Sequence, residues 1–125
     1  MTEDRRQTGS RGEDAAARFL EKEGFRVLGR NYRFAGGELD LIVEGPPGLV
    51  FVEVRTKRQP ALVLPEETIT RAKLLRVIRT AQRYLAETGR EERPWRVDVV
   101  AVAMDADGKT VSINHFPDAT SHLVY

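Results

Sequence analysis

The stretch between Glu38 and Thr56 constrains this chain more than any other. Residues 49–54 form an apolar, β-branched run, residues 38–44 form a second, and Gly45-Pro46-Pro47-Gly48 joins them. Such residues suit a pleated, half-buried surface, and the Gly/Pro cluster stops both runs and reverses the chain. The segment therefore predicts two antiparallel strands. Each carries an acid in mid-run: Asp40 in Gly37-Glu38-Leu39-Asp40-Leu41-Ile42, and Glu53 in Phe51-Val52-Glu53-Val54-Arg55. A carboxylate in such surroundings is costly to bury unless it is paired or metal-bound.

Around this pair the pattern alternates helix and strand. Ser10-Arg11-Gly12-Glu13 matches a capping box and predicts a helix starting near Ser10, carried on by alanines 15 to 17, Phe19 and Leu20 and ended at Gly24. Glu13 shares a face with Ala16, Ala17 and Leu20, so it is either a satisfied cap or part of a site. Residues 25–34 read as a strand, with Gly36-Gly37 as the hairpin turn into residues 38–44. After a loop between Pro60 and Pro65, a long helix is predicted from Glu66 to about Thr88. Its apolar stripe is Leu74, Val77, Ile78, Ala81 and Leu85, and Gly89 stops it. Residues 95–104 are a nearly continuous apolar strand broken by Asp98, and residues 110–116 a last one. A helix between the third and fourth strands is a crossover, so those two are expected to run parallel. The expected fold class is α/β, a mixed five-stranded sheet flanked by helices in the order αβββαββ. One domain would span 1–125, with residues 1–9 as a flexible N-terminal arm.

At 125 residues, 41% hydrophobic and 31% charged, the chain has the size and balance of one globular domain. With no cysteine, disulfides, thiolate metal sites and cysteine nucleophiles are excluded. No apolar run reaches membrane-spanning length, and the first residues lack a signal-peptide core, so the expected location is cytoplasmic, with no membrane partner. The net charge of +1 hides an uneven layout. Arg5, Arg6 and Arg11 lie near the start, and Lys73, Arg76, Arg79 and Arg83 lie opposite the apolar stripe of the long helix. Such a face is usually solvated surface, but it would also suit a phosphate backbone. Lys57 and Arg58, just past the Glu53 strand, are better placed for backbone contacts.

Strand alternation puts Glu38, Asp40, Ile42 and Glu44 on one face and Leu39, Leu41 and Val43 on the other. It also puts Glu53, Arg55 and Phe51 together. If strand pairing brings Asp40 and Glu53 to one face, their repulsion would be relieved by Mg²⁺ or Mn²⁺, with Arg55 clamping a phosphate. The plainer alternative is a surface ion pair between Glu53 and Arg55. Asp14 and Glu38 read as exposed acids that need no function, and Asp98 as a structural ion pair with Arg96. His115 and His122 have no ligand-type spacing, so a serine- or histidine-based hydrolase has no support. No Gly-rich phosphate loop is present.

Taken together, Glu13, the Gly37-Glu38-Leu39-Asp40-Leu41-Ile42 run and the Phe51-Val52-Glu53-Val54-Arg55 run resemble the PD-(D/E)xK nuclease superfamily. Within it, Asn31-Tyr32-Arg33 followed by Gly37-Glu38-Leu39-Asp40 resembles the YraN-like family, relatives of archaeal Holliday junction resolvases. The resemblance implies a restriction-endonuclease-like core and Mg²⁺- or Mn²⁺-dependent cleavage of DNA, with branched or junction DNA among the candidate substrates. The catalytic set it implies is Asp40, Glu53, Arg55 and Glu13, of which Asp40 and Glu53 would hold the metal. Arg55 stands where the superfamily usually has lysine, and arginine stays protonated and is bulkier. Arg11, Lys57, Arg58, Lys73, Arg76, Arg79 and Arg83 would contact nucleic acid. Cutting both strands of a junction takes two active centres, which a homodimer would supply. The alternative is a catalytically silent nucleic-acid-binding protein of the same fold.

Overall fold

The structure, a computed structural model, describes residues 5–34, 36–46, 48–60 and 64–120. The elements are α1 (Arg5–Lys22), β1 (Arg26–Phe34), β2 (Gly37–Gly45), β3 (Gly48–Arg58), a 3₁₀ turn (Pro65–Thr68), α2 (Arg71–Glu87), β4 (Trp95–Met104) and β5 (Thr110–Phe116). The five strands form one sheet in the order β1-β2-β3-β4-β5. β3 and β4 pair in parallel, and the other neighbours are antiparallel. The expected αβββαββ order and the single parallel pair are therefore present.

Two apolar clusters hold the layers. On one face, Ala15, Ala16, Ala17 and Leu20 of α1 pack on Leu41, Val43, Val50, Val52, Val100 and Val102. The small alanines let the helix lie close to the sheet. On the other face, Leu74, Val77, Ala81 and Leu85 of α2 pack on Ile42, Leu49, Phe51, Val97 and Val99. The stripe read from the 3.6-residue period is thus the buried face of α2. Among the described residues no helix is long and apolar enough to cross a membrane.

Three expectations are corrected. α1 begins at Arg5, not near Ser10, so residues 5–9 are helical where an arm was expected, and residues 1–4 lie outside the described residues. Ser10 lies inside the helix, so Ser10 and Glu13 form no capping box there. The long helix is also interrupted: the 3₁₀ turn ends at Thr68, and Thr70 caps α2 by accepting the Lys73 N–H through its side chain at 3.1 Å. A threonine at that position satisfies one of the orphan donors of a first turn. Finally, strand alternation fails at Asp40. Leu41 and Val43 join the α1 cluster, yet Leu39 joins the α2 cluster with Ile42. Opposite this point β1 enters the left-handed region at Asn31, with φ of 53°, between the pairs Arg30↔Leu41 and Tyr32↔Leu39. Asparagine tolerates that conformation better than most residues.

Candidate metal and phosphate site

The site lies where β2 and β3 part. Their paired register runs from Gly45↔Gly48 to Leu41↔Val52 and, among the described residues, goes no further. Past that point β2 stays with β1 through Tyr32↔Leu39 and Arg33↔Glu38, while β3 stays with β4 as far as Arg58↔Met104. The fork leaves a backbone donor without its ladder partner, and the Asp40 Oδ2 takes it, accepting the Val54 N–H at 2.8 Å. Asp40 is thereby fixed at the root of the fork with its other oxygen uncommitted by that bond. Glu53, one residue before Val54, is 2% exposed.

Glu53 has cations on one side and acids on the other. Its Oε2 lies 3.2 Å from Arg55 Nη1 and 3.8 Å from Lys73 Nζ. Burial first, and then the charge of Asp40, push its pKa up to about 7. Burial also raises the Asp40 pKa, although the Val54 N–H and the Glu53 carboxyl oppose the shift. Across the fork, α1 contributes Glu13, whose pKa is raised by burial and by Asp40. The Asn31 side chain hydrogen-bonds Glu13, and Arg30 Nη2 stands 3.8 Å from Glu13 Oε1. One oxygen each of Glu13, Glu38 and Asp40 fall within 4.8 Å of one another. Glu38, expected to be an exposed acid without a role, therefore belongs to this cluster while also pairing with Arg33 at 3.4 Å. Asp14 pairs with Arg30 at 2.7 Å, away from the cluster's shared oxygens.

Arg55 is held firmly: its Nε donates to Thr68 Oγ1 at 2.7 Å, and that hydroxyl donates to the Pro65 carbonyl at 2.6 Å. The 3₁₀ turn thus braces the guanidinium against Glu53. Lys73 stands at the second cation position, contributed by the first turn of α2. The charge pattern groups it with Arg76, Arg79 and Arg83 as helix surface, because pattern alone does not show which cation of such a row leans over the sheet. Arg76 and Arg79 are exposed, and the Arg83 guanidinium lies 4.5 Å above the Phe34 ring. Arg11 and Arg58 both reach the β4–β5 turn, Arg11 to the Gly108 carbonyl at 3.5 Å and Arg58 to the Ala106 carbonyl at 2.8 Å. The seven cations expected to contact nucleic acid therefore fall into separate groups, and Lys57, Arg58 and Lys73 line the site cavity.

That cavity, about 640 Å³, is bounded by Glu13, Asp40 and Glu53 at the fork and by Thr56, Lys57 and Arg58 further along β3. Carboxylate oxygens suit a hard divalent cation such as Mg²⁺ or Mn²⁺ better than a soft one. The fit rests on charge as well as type, since the two strand acids repel each other and neither is neutralised by a closely hydrogen-bonded set of donors.

The other buried strand acid behaves differently. Asp98 accepts from Arg96 Nε at 2.9 Å and from the Asp118 N–H at 2.9 Å, and lies 2.7 Å from His115 Nε2. This is the expected structural pairing with Arg96, extended by His115, a partner that no linear spacing would reveal. His122 lies outside the described residues.

These features define an α/β protein with an acidic, cation-flanked cleft at a fork in a mixed sheet. Residues 12–102 match the family described as Uncharacterised protein family UPF0102, and the chain belongs to that family, in keeping with the YraN-like resemblance. A UPF0102 protein of Symbiobacterium thermophilum is 47% identical over 104 residues, covering 83% of this chain and 88% of that one. A UPF0102 protein of Pelotomaculum thermopropionicum is 43% identical over 119 residues, covering 95% and 99%. One of Beutenbergia cavernae is 49% identical over 94 residues, covering 75% and 80%.

Proposed function

We propose that this protein is a Mg²⁺- or Mn²⁺-dependent endodeoxyribonuclease. The observation that carries the proposal is the confrontation of the half-buried Asp40 with the buried Glu53 across the strand fork, with pKa values raised by loss of solvent and a cation-lined cavity in front of them. Burying two such acids without a full set of donors is costly, which favours a role that uses them. Asp40 and Glu53 would hold the metal, with Glu13 and Glu38 beside Asp40 across the fork; when bound, the metal supplies a polarised phosphate and an acidified water.

The chain's own groups divide the remaining work. The Val54 N–H fixes Asp40. Thr68 orients Arg55, and Arg55 orients Glu53. The ammonium of Lys73, 3.8 Å from Glu53 Oε2, lies beyond hydrogen-bond distance of that oxygen. It can therefore turn a proton toward a phosphate oxygen or a water in the cavity, the task that a strand lysine would otherwise perform. One observation favours the silent binding reading: Arg55 already spends Nε on Thr68 and Nη1 on Glu53.

The deciding experiment incubates the protein with plasmid, single-stranded and four-way-junction DNA in Mg²⁺ or Mn²⁺. Cleavage is expected, with loss by at least about 100-fold in Asp40→Asn and Glu53→Gln, and Mn²⁺ should raise the wild-type Tm but not that of Asp40→Asn. Salt-sensitive binding of all three proteins without cutting in either metal would select the silent reading. Equal cleavage by wild type and variants would mean a contaminating nuclease.

A further inference from the structure

α1 contains two glycines within one turn, Gly9 and Gly12, although glycine is unfavourable inside a helix relative to alanine. Packing accounts for only one of them. A Cβ on Gly12 would lie 1.9 Å from Thr56 Oγ1, so the helix seats directly on β3 there. A Cβ on Gly9 would meet nothing within 4 Å, yet Gly9 lines the site cavity together with Thr8. At Gly9, then, the absent side chain serves the open space in front of the helix and not the contact behind it.

That space opens around the edge of β3 from which β2 has parted, and its side away from α1 is basic. Beyond Glu53 and Arg55, β3 runs on through Lys57 on the same face, half-buried and lining the same cavity. The cavity is thus acidic at the fork and lined by hydroxyls and cations towards Thr8, Gly9, Thr56 and Lys57. From Glu53 to Lys57 the strand advances about 13 Å, comparable to four stacked steps of one nucleic-acid strand. A single metal and its waters do not need that length, and a small anion would not span it.

We infer that the groove between the second turn of α1 and the end of β3 is a binding subsite for the phosphodiester backbone adjoining the scissile bond. Gly9 is its point of closest approach, and Lys57 is its phosphate contact. Glycine lets a ligand backbone come close where any side chain would hold it off. The assignment rests on the nuclease reading for what the acidic end does to the strand, and it adds where the strand runs.

The test measures binding of a fluorescent single-stranded oligonucleotide to the full chain at several salt concentrations, with cleavage and Tm read in parallel. Gly9→Ala should raise Tm by about 4 °C, because alanine is the better helix former. Gly9→Leu should keep the wild-type fold and weaken oligonucleotide binding at least about 10-fold, with Gly9→Ala in between. Lys57→Ala should weaken binding and lower the salt slope by about one. Wild-type binding and cleavage by Gly9→Leu would overturn the groove assignment while leaving the nuclease reading standing. Should Gly9→Leu misfold, undiminished binding by Gly9→Ala together with an unchanged salt slope in Lys57→Ala would overturn it equally. Competition by a mononucleotide as effective, per phosphate, as the oligonucleotide would replace a strand subsite with a simple anion site and so overturn it. A wild-type protein that neither binds nor cuts DNA in Mg²⁺ or Mn²⁺ would remove both readings.

Discussion

Glu53 and Asp98 stand on adjacent parallel strands, in the register pairs Glu53↔Val99 and Val52↔Asp98, and point to opposite faces of the sheet. Both are buried, at 2% and 0% exposure, and each has an arginine two residues away on its own strand. From the sequence they are near twins. In the fold they are opposites. Asp98 has donors on both oxygens, from Arg96, His115 and the Asp118 N–H, and although burial alone would raise its pKa, those donors lower it. Glu53 has one guanidinium at 3.2 Å, an ammonium at 3.8 Å and a second carboxylate facing it, and its pKa rises to about 7. Equal burial therefore says little about the role of an acid. The number of donors committed to it separates a finished structural pair from a group left with unspent charge.

The largest difference should appear in stability. Asp98→Ala removes the fully buried acceptor that the part-buried Arg96 and His115 share and leaves both without it. Loss of about 3 kcal/mol or more is expected in urea denaturation at neutral pH, the usual cost of breaking a buried charged network from one side. Glu53→Gln should change stability by no more than about 1 kcal/mol in the absence of metal, because it removes a repulsion along with an ion pair. Equal losses in the two variants would break the comparison and make Glu53 a structural residue like its neighbour.

Part of this contrast was legible in advance. The two strand acids, the mixed sheet, the parallel pair and the buried stripe of α2 all follow from alternation, turn residues and crossover length, which are local or nearly local signals. What was hidden depends on long-range geometry. Ser10 and Glu13 imitate a cap, but the helix continues back to Arg5, and Glu13 turns to Asn31 and Asp40 instead. Leu39 leaves the face that alternation assigned it beside the point where Asn31 takes β1 into the left-handed region, a long-range partner that alternation within β2 does not see. His115 and Lys73 carry no sign in their own neighbourhoods, since each gains its meaning from an acid on a different element, Asp98 and Glu53 respectively.

A somewhat smaller effect should come from pH, with opposite signs at the two acids. Glu53 has a folded pKa of about 7 against an ordinary value of 4.5, so the folded chain holds a proton that the unfolded chain releases in between. The stability this contributes is complete below the ordinary value and is lost as pH rises through about 7, amounting to at most about 3 kcal/mol. Asp98, with its lowered pKa, contributes stability above the ordinary aspartate range that is lost as pH falls. Metal-free wild type should therefore weaken relative to Glu53→Gln between pH 5 and pH 8, measured by urea denaturation at each pH. A constant difference between the two proteins across that range would show that Glu53 is ionised throughout, as Asp98 is.

The smallest effect isolates the one cation that distinguishes the Glu53 site in kind. Asp98 is served by an arginine and a histidine at hydrogen-bonding distance, whereas Lys73 stands off Glu53 at 3.8 Å from the first turn of α2. With about a third of its side chain exposed, its attraction for Glu53 is screened, and Lys73→Met should cost well under about 1 kcal/mol of folding stability. Its charge nevertheless lowers the Glu53 pKa, so removing it should move that pKa further upward from about 7. A carboxyl-carbon NMR titration of Glu53 in wild type and Lys73→Met reads this directly. An upward displacement with little change in stability would place the ammonium at the acid as a tuning charge, available to a ligand in the cleft. An unmoved titration accompanied by a large stability loss would make Lys73 a structural partner of Glu53, and the contrast with Asp98 would narrow to the opposing carboxylate of Asp40 alone.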